Sequence, residues 1–338
     1  MFEVISLEDK GRWNEIIRSM KNYDFYFLAE YHQMDKSGLP LLFYYKDDSS
    51  AFALPVIVRE IEETPYKDIT SIYGYAGPLT SNDNPSQESI ANFQKELLYF
   101  FNSHSIVSVF SRLHPLFPNQ EKLLNGLGEI VDTNLTVTID LTQSEKEQRR
   151  QYSSSTRHQI NSLNRKGILV REIENNEEIK AFIHIYRENM ERVNADEMYF
   201  FSQDYFFSFL EIINSHLYIA IHNDEIISGS LFTTCNGIIQ SHLSATKNTS
   251  LKLSPIKLVW DNIRIFGLSN QMKHFHLGGG YRGDNSSLFK FKTQFSKQYF
   301  MFKTWKYIHN KEIYNRLVNK RNKENISNTS FFPRYRLD

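Results

Sequence analysis

The chain has one cysteine in 338 residues, so no intrachain disulfide can form. Cys235 ends the strand-like run LFTTC and reads as a small core residue; nothing around it builds a case for a nucleophile. Net charge is also missing. Lys+Arg 39 balance Asp+Glu 39, which removes any global electrostatic argument for nucleic acid or an acidic partner. No apolar run approaches the ~18 residues of a membrane span. The opening MFEVISLEDKGRW lacks a basic start followed by an apolar core, so no signal peptide is visible. The expected location is the cytoplasm, with peripheral association to the inner membrane surface open. Metal-ligand spacings, a Walker loop and a Ser-His-Asp order are absent, and the one glycine run is not G-x-G-x-x-G in a βαβ setting.

Aromatics, by contrast, are plentiful: 26 Phe and 19 Tyr within a hydrophobic fraction of 41%. That suffices for a sizeable core, and the length suits roughly two domains of ~150 residues. The first half reads as strand EVISL, a helix over 7–20, an aromatic helix over 25–34, and strands LPLLFYY and AFALPVIVREI. Pro55 inside the last of these predicts an edge or a bulge. An extended segment SIYGYAGPL, a helix over 86–102, strand IVSVFSRLHP, a short helix over 117–124 and strand EIVDTNLTVTIDL complete it. Ser144 and Glu147 then form an S-x-x-E capping box that opens a helix running to about Lys166. It carries six Lys/Arg (Lys146, Arg149, Arg150, Arg157, Arg165, Lys166) against Glu147 alone, either a solvated face or a surface for an anion. The second half gives strand ILVREI, two helices, three strands joined by short turns, and a helix begun by Ser254 as cap with Pro255 at its first position. Asn236-Gly237 is a hairpin turn. Between residues 303 and 338 nine Lys/Arg face three Asp/Glu, a locally basic tail.

The stretch HFHLGGGYRGDNSSLFKFKTQF, His274–Phe295, stands apart. Three consecutive glycines weaken regular structure and suit backbone that turns tightly or approaches something closely. A lysine between aromatics just beyond, Lys292, is placed to meet an anionic or acyl group. A Gly-rich turn before a surface helix with a snorkelling lysine explains the same residues.

The β–α–β–β–β–α–β order of the second half is similar to the GNAT acyltransferase fold. HLGGG with DNSSLFKFKTQF, YRENMERVNADEMYFFSQDYF, SSSTRHQINSLNRKGI, SIYGYAGPL and FSRLHP together resemble the Fem-type branch of that superfamily, over about Ser71–Tyr314. The resemblance implies an α/β (α+β) fold class with two tandem GNAT-like acyltransferase domains, mixed central sheets flanked by helices. The expected division is an N-terminal domain 1–143, a C-terminal domain 144–310 carrying the catalytic motif, a helix 311–325 that packs back on the first domain, and a basic tail 321–338.

Members of this branch transfer an acyl group to a primary amine, the best known taking an aminoacyl group from charged tRNA to a peptidoglycan precursor. The resemblance implies Lys292 as the catalytic candidate with Phe291 beside the donor, and Glu191 is a candidate proton acceptor. Donor-binding candidates are Gly278, Gly279 and Gly280, with Lys247, Lys252 and the cap Ser254 offered to a phosphate. Acceptor candidates are Tyr73, Tyr75, Arg112, His114, Tyr199, His242, Tyr281 and Arg157; aromatics beside a cation suit a sugar ring. A lone strand histidine such as His242 also fits a structural role. Two departures from the branch matter: there is no long coiled-coil arm between Leu163 and Ser254, and Met198-Tyr199-Phe200 stands where some relatives have H-R-P. They favour acyl-CoA (acetyl-CoA) as co-substrate and an amino sugar of a nucleotide- or lipid-linked glycan precursor as acceptor. The alternatives are an aminoacyl-tRNA-dependent interpeptide-bridge aminoacyltransferase, with tRNA as a partner, and a non-catalytic tandem-domain binding protein. No metal is expected.

Overall fold

The structure is a computed structural model and describes residues 1–280, 283–284, 286–320 and 331–337. Tyr281 and most of the basic tail lie outside the described residues. In chain order the elements begin with β1 (Phe2–Ser6), α1 (Lys10–Ser19), α2 (Ala29–His32), β2 (Leu39–Lys46), β3 (Ala51–Glu60), β4 (Lys67–Thr70) and β5 (Leu79–Thr80). Next come α3 (Gln87–Ser103), β6 (Ile106–Arg112), α4 (Gln120–Leu124), β7 (Glu129–Asp140), α5 (Glu145–Gln151), α6 (Ser154–Arg165) and β8 (Leu169–Glu172). Then follow α7 (Asn176–Arg192), α8 (Gln203–Ile212), β9 (Ser215–His222), β10 (Glu225–Cys235), β11 (Ile238–Thr246) and α9 (Ile256–Ser269). The last are β12 (His274–Gly279), α10 (Ser287–Lys292), β13 (Gln298–Ile308) and α11 (Lys311–Lys320).

The chain divides into two compact units, one of Met1–Thr133 with Met301–Asp338 and one of Asn134–Phe300. The sequence places the boundaries at 143/144 and 310 instead. The difference lies in β7 and β13, both of which run across the division rather than ending at it.

In the first unit the strand order is β1-β2-β3-β4-β6-β13, antiparallel except for β4 and β6, which are parallel. β13 pairs with β6 from Thr304↔Arg112 to Ile308↔Ser108. The inward faces meet α3 in one cluster of Phe43, Phe52, Phe93, Leu97, Phe101, Val109 and Trp305. α11 packs Ile313, Tyr314 and Leu317 with Ile61 and Val107. β3 is an interior strand, so Pro55 sits on neither an edge nor a bulge. It pairs with Leu42 on one side, and on the other it falls between the β5 ladder (Phe52, Ala53) and the β4 ladder (Ile57–Glu60). Its missing N–H therefore coincides with a change of partner, where no ladder bond is lost.

The second unit has the order β7-β12-β11-β10-β9-β8. Asn223-Asp224 and Asn236-Gly237 form the two hairpin turns, all four residues at positive φ as a type I′ turn requires. α9 buries Leu258, Val259 and Ile263 against Ile239, Phe275 and Leu277. The capping box is present, with Ser144 Oγ accepting from the Glu147 N–H and Glu147 from the Ser144 N–H. The basic helix it opens is two helices, α5 and α6, because Tyr152 and Ser153 turn extended, Tyr152 is buried and Ser153 caps α6. The aromatic helix expected over 25–34 is likewise a short turn over Phe25–Phe27 followed by α2.

Candidate functional site

β11 and β12 are parallel neighbours, yet they pair only over Ile238–Gln240 and His274–His276. β11 then continues to Thr246 and β12 to Gly279 without a shared ladder, so the strands splay at their carboxyl ends. In open α/β sheets that is where ligands enter. Two bulges shape the opening. His242 is the extra residue in β11 opposite β10, between Leu243↔Leu231 and Ser241↔Phe232. Leu277 is the extra residue in β12 opposite β7, and Gly278 follows it at φ +77.

The glycine run is fixed by backbone and packing. Gly278 needs the left-handed conformation. A Cβ on Gly279 would lie 2.3 Å from Asn134 Nδ2, and one on Gly280 would lie 2.1 Å from Ser286 Oγ and 2.5 Å from Gly283 O. The contact matters because Ser286 caps α10, its Oγ accepting from the Phe289 N–H at 3.1 Å. Asp284 ties the preceding loop down by accepting from the Leu135 N–H at 2.7 Å.

Lys292 is the last residue of α10, and its Nζ donates to the Gly279 carbonyl at 2.8 Å. The two features singled out in the sequence therefore meet in a hydrogen bond. Burial disfavours the charged amine and lowers it from 10.5 to about 7, with no neighbouring cation involved. Near neutral pH the amine is populated in both forms. Phe291 packs 5.4 Å from Trp260 and 5.6 Å from Phe295. Lys290 is exposed. Deeper in the sheet His276 is buried and hydrogen-bonded through Nδ1 to Gln240 Oε1 at 2.7 Å, facing the neighbouring strand.

His242 stacks on Phe209 at 4.4 Å and shares a 2.7 Å hydrogen bond with the Tyr205 hydroxyl; burial drops it to about 3, so it is neutral. Tyr199 gives its carbonyl to the Tyr186 hydroxyl at 2.8 Å. Arg157 donates to the carbonyls of Arg150 and Tyr152, closing the end of α5 rather than facing a ligand. Glu191 is exposed on the last turn of α7, and its carboxylate forms no hydrogen bond or ion pair among the described residues. Ser254 is not the cap of α9. It sits at φ +51 at the end of a 3-10 turn over Asn248–Leu253, and Pro255 takes the cap position. Lys247 is ion-paired with Glu225, and Lys252 is exposed.

In the first unit the structure gathers the four predicted residues. The Arg112 guanidinium lies 5.8 Å from the Tyr73 ring, and Tyr75 meets His114 edge-on at 5.6 Å. His114 is fully buried, bonded through Nε2 to Asp24 at 3.2 Å, while its Nδ1 accepts from the Leu116 N–H. With Nδ1 an acceptor, the ring is the neutral Nε2–H tautomer, and burial lowers its pKa further. Sequence reasoning missed Asp24 and also Lys257, a buried lysine on α9. The signal for the second was present: Lys257, Asp261 and Arg264 recur at four and three residues within an apolar helix, and all three are buried.

Residues 122–225 match the model of the FemAB family. The fold is similar to the crystal structure of FemX, 12% identical over 94% of this chain and 99% of that one, with TM-score 0.75. It is also similar to L-PGS from Bacillus licheniformis (12% identical, 90% and 93% covered, TM-score 0.60). A conserved protein of unknown function from Bacteroides thetaiotaomicron matches in the same way (12%, 91% and 99%, TM-score 0.59). No curated protein matches the chain by sequence. The fold is of the tandem GNAT-like kind. Residues 122–225 carry the sequence pattern of the FemAB family, and the fold over most of the chain is similar to that of FemX.

Proposed function

We propose that this chain transfers an aminoacyl group from an aminoacyl-tRNA to a primary amine of a cell-envelope precursor, with Lys292 as the catalytic residue. The observation that carries the reading is Lys292 itself: a lysine lowered to about 7 by burial, on a strand carbonyl at the mouth of a parallel-strand splay. Attack of a neutral amine on the ester carbonyl forms the C–N bond and breaks the bond to the ribose oxygen. The neutral Lys292 takes the proton that the attacking nitrogen sheds. As an ammonium it then faces the developing oxyanion and returns a proton to the leaving hydroxyl.

The acyl-CoA donor favoured from the sequence is the weaker reading. The FemAB family model matches residues 122–225, and the C-terminal domain described as that of a putative lysylphosphatidylglycerol synthetase is among the similar folds, at 11% identity and TM-score 0.58. The connection from β11 to α9, where a coenzyme A pyrophosphate would need a glycine-lined loop, is a 3-10 turn over Asn248–Leu253 without a glycine, and Lys247 is occupied by Glu225. Lys247, Lys252 and Ser254 are therefore a poor phosphate site. Tyr73, Tyr75 and Arg112 of the first unit are the proposed acceptor-binding residues, with the buried His114 backing Tyr75. Lys292→Ala is expected to lower the transfer rate by about 10²–10³, the loss typical of one such group; an unchanged rate in a folded variant rules Lys292 out.

A further inference from the structure

Lys257 is 5% exposed, yet its ammonium has no carboxylate within ion-pair distance among the described residues. Its Nζ donates instead to three neutral oxygens: Gln294 Oε1 at 2.7 Å, Gln159 Oε1 at 2.8 Å and Thr156 Oγ1 at 3.2 Å. Three acceptors match the three protons of an ammonium. A buried charge without a counter-ion is costly, so a protein retains one where its hydrogen bonds fix something. Here they fix Gln294. Its side-chain oxygen also accepts from Thr156 Oγ1 at 3.0 Å, its backbone carbonyl accepts from the Ser153 N–H at 2.8 Å, and its own N–H returns to the Phe291 carbonyl at 3.2 Å. The same Nζ lies 5.6 Å from the centre of the Phe291 ring. Both ends of the turn that carries Lys292 are thus held from α6 and α9.

We propose that Lys257 is a positioning residue for Lys292, acting through Gln294 and Phe291 to hold the end of α10 so that Lys292 Nζ stays on the Gly279 carbonyl. This deepens the functional reading above and rests on it for its catalytic meaning, although its geometry does not. Asp261 and Arg264 on the same helix serve another purpose: Asp261 takes Tyr152 and Arg264, and Arg264 reaches Gln148 and Glu145, docking α5.

The test needs neither donor nor acceptor. The pH dependence of Lys292 labelling by an amine-reactive reagent is read by peptide mass spectrometry in the full chain. In the wild type, labelling titrates near the low value that burial imposes. In Lys257→Met, and in Gln294→Leu should the first variant fold poorly, the midpoint is expected to rise by at least one pH unit, because a freed Lys292 returns toward water. Ile263→Val, a core change on α9, controls for general loosening and is expected to leave the midpoint in place. A midpoint unmoved in both latch variants, or moved as far by Ile263→Val, overturns the proposal. If the midpoint moves as expected while Lys292→Ala leaves transfer intact, the latch stands and the functional reading falls.

Discussion

Replacing Lys292 with methionine keeps the length of the side chain and removes its amine, which isolates what burying that amine costs the fold. A drop from 10.5 to about 7, at roughly 1.4 kcal/mol per factor of ten, caps the cost of charging at roughly 5 kcal/mol. Lys292 keeps part of its surface in water, so about half of that is the realistic figure. Methionine also forfeits the hydrogen bond to Gly279, worth about 1 kcal/mol. The net expectation is that Lys292→Met is more stable than the wild type by about 1–2 kcal/mol at about pH 7. The sign follows from linkage. Between about pH 7 and 10.5 the unfolded chain carries a proton on this lysine that the folded chain does not, so wild-type stability rises with pH across that window. The advantage of the variant is therefore largest at and below about pH 7, and it shrinks or reverses by about pH 9. Urea unfolding of both proteins at the two pH values measures the difference, in which all other titrating groups cancel. A difference that does not change with pH refutes the claim that the site disfavours the charged form of Lys292.

Two further outcomes follow from the same site. The kcat/KM for transfer is expected to climb with pH through about 7, as the neutral form of Lys292 becomes populated, and to level off above it; a flat profile over that range argues against Lys292 as proton acceptor. Gly280→Ala puts a Cβ against Ser286 Oγ and Gly283 O and is expected to lose roughly 1–3 kcal/mol of stability through overpacking and a damaged cap. Thermal unfolding of that variant at wild-type values means the loop does not hold Ser286 where the structure has it.

Much of this was legible in the residues. Strand periodicity gave the meander β9–β11, the Asn-Gly turn its β10–β11 connection, and Ser144 with Glu147 the start of α5, because each signal is local. The glycine run and Lys292 stand out by local composition and by the family resemblance, but their hydrogen bond depends on a strand bulge and a short helix that no short window specifies. Lys257 was passed over because a lysine on an amphipathic helix is ordinarily solvated; its burial comes from α6 and Gln294, distant in sequence. The break at Tyr152 was hidden for the same reason, since it is set by Asp261 on α9. Ser254 looked like a cap because Ser-Pro is a strong start signal, and it lost that place to a preceding 3-10 turn that uses the residue at positive φ.

The most direct measurement of the central claim follows label from donor to acceptor. Purified wild type and Lys292→Ala are given radiolabelled aminoacyl-tRNA or acetyl-CoA together with amine-bearing envelope precursors. The account predicts amide formation from aminoacyl-tRNA that collapses in Lys292→Ala, and none from acetyl-CoA. Efficient transfer from acetyl-CoA, with charged tRNA inert, contradicts it.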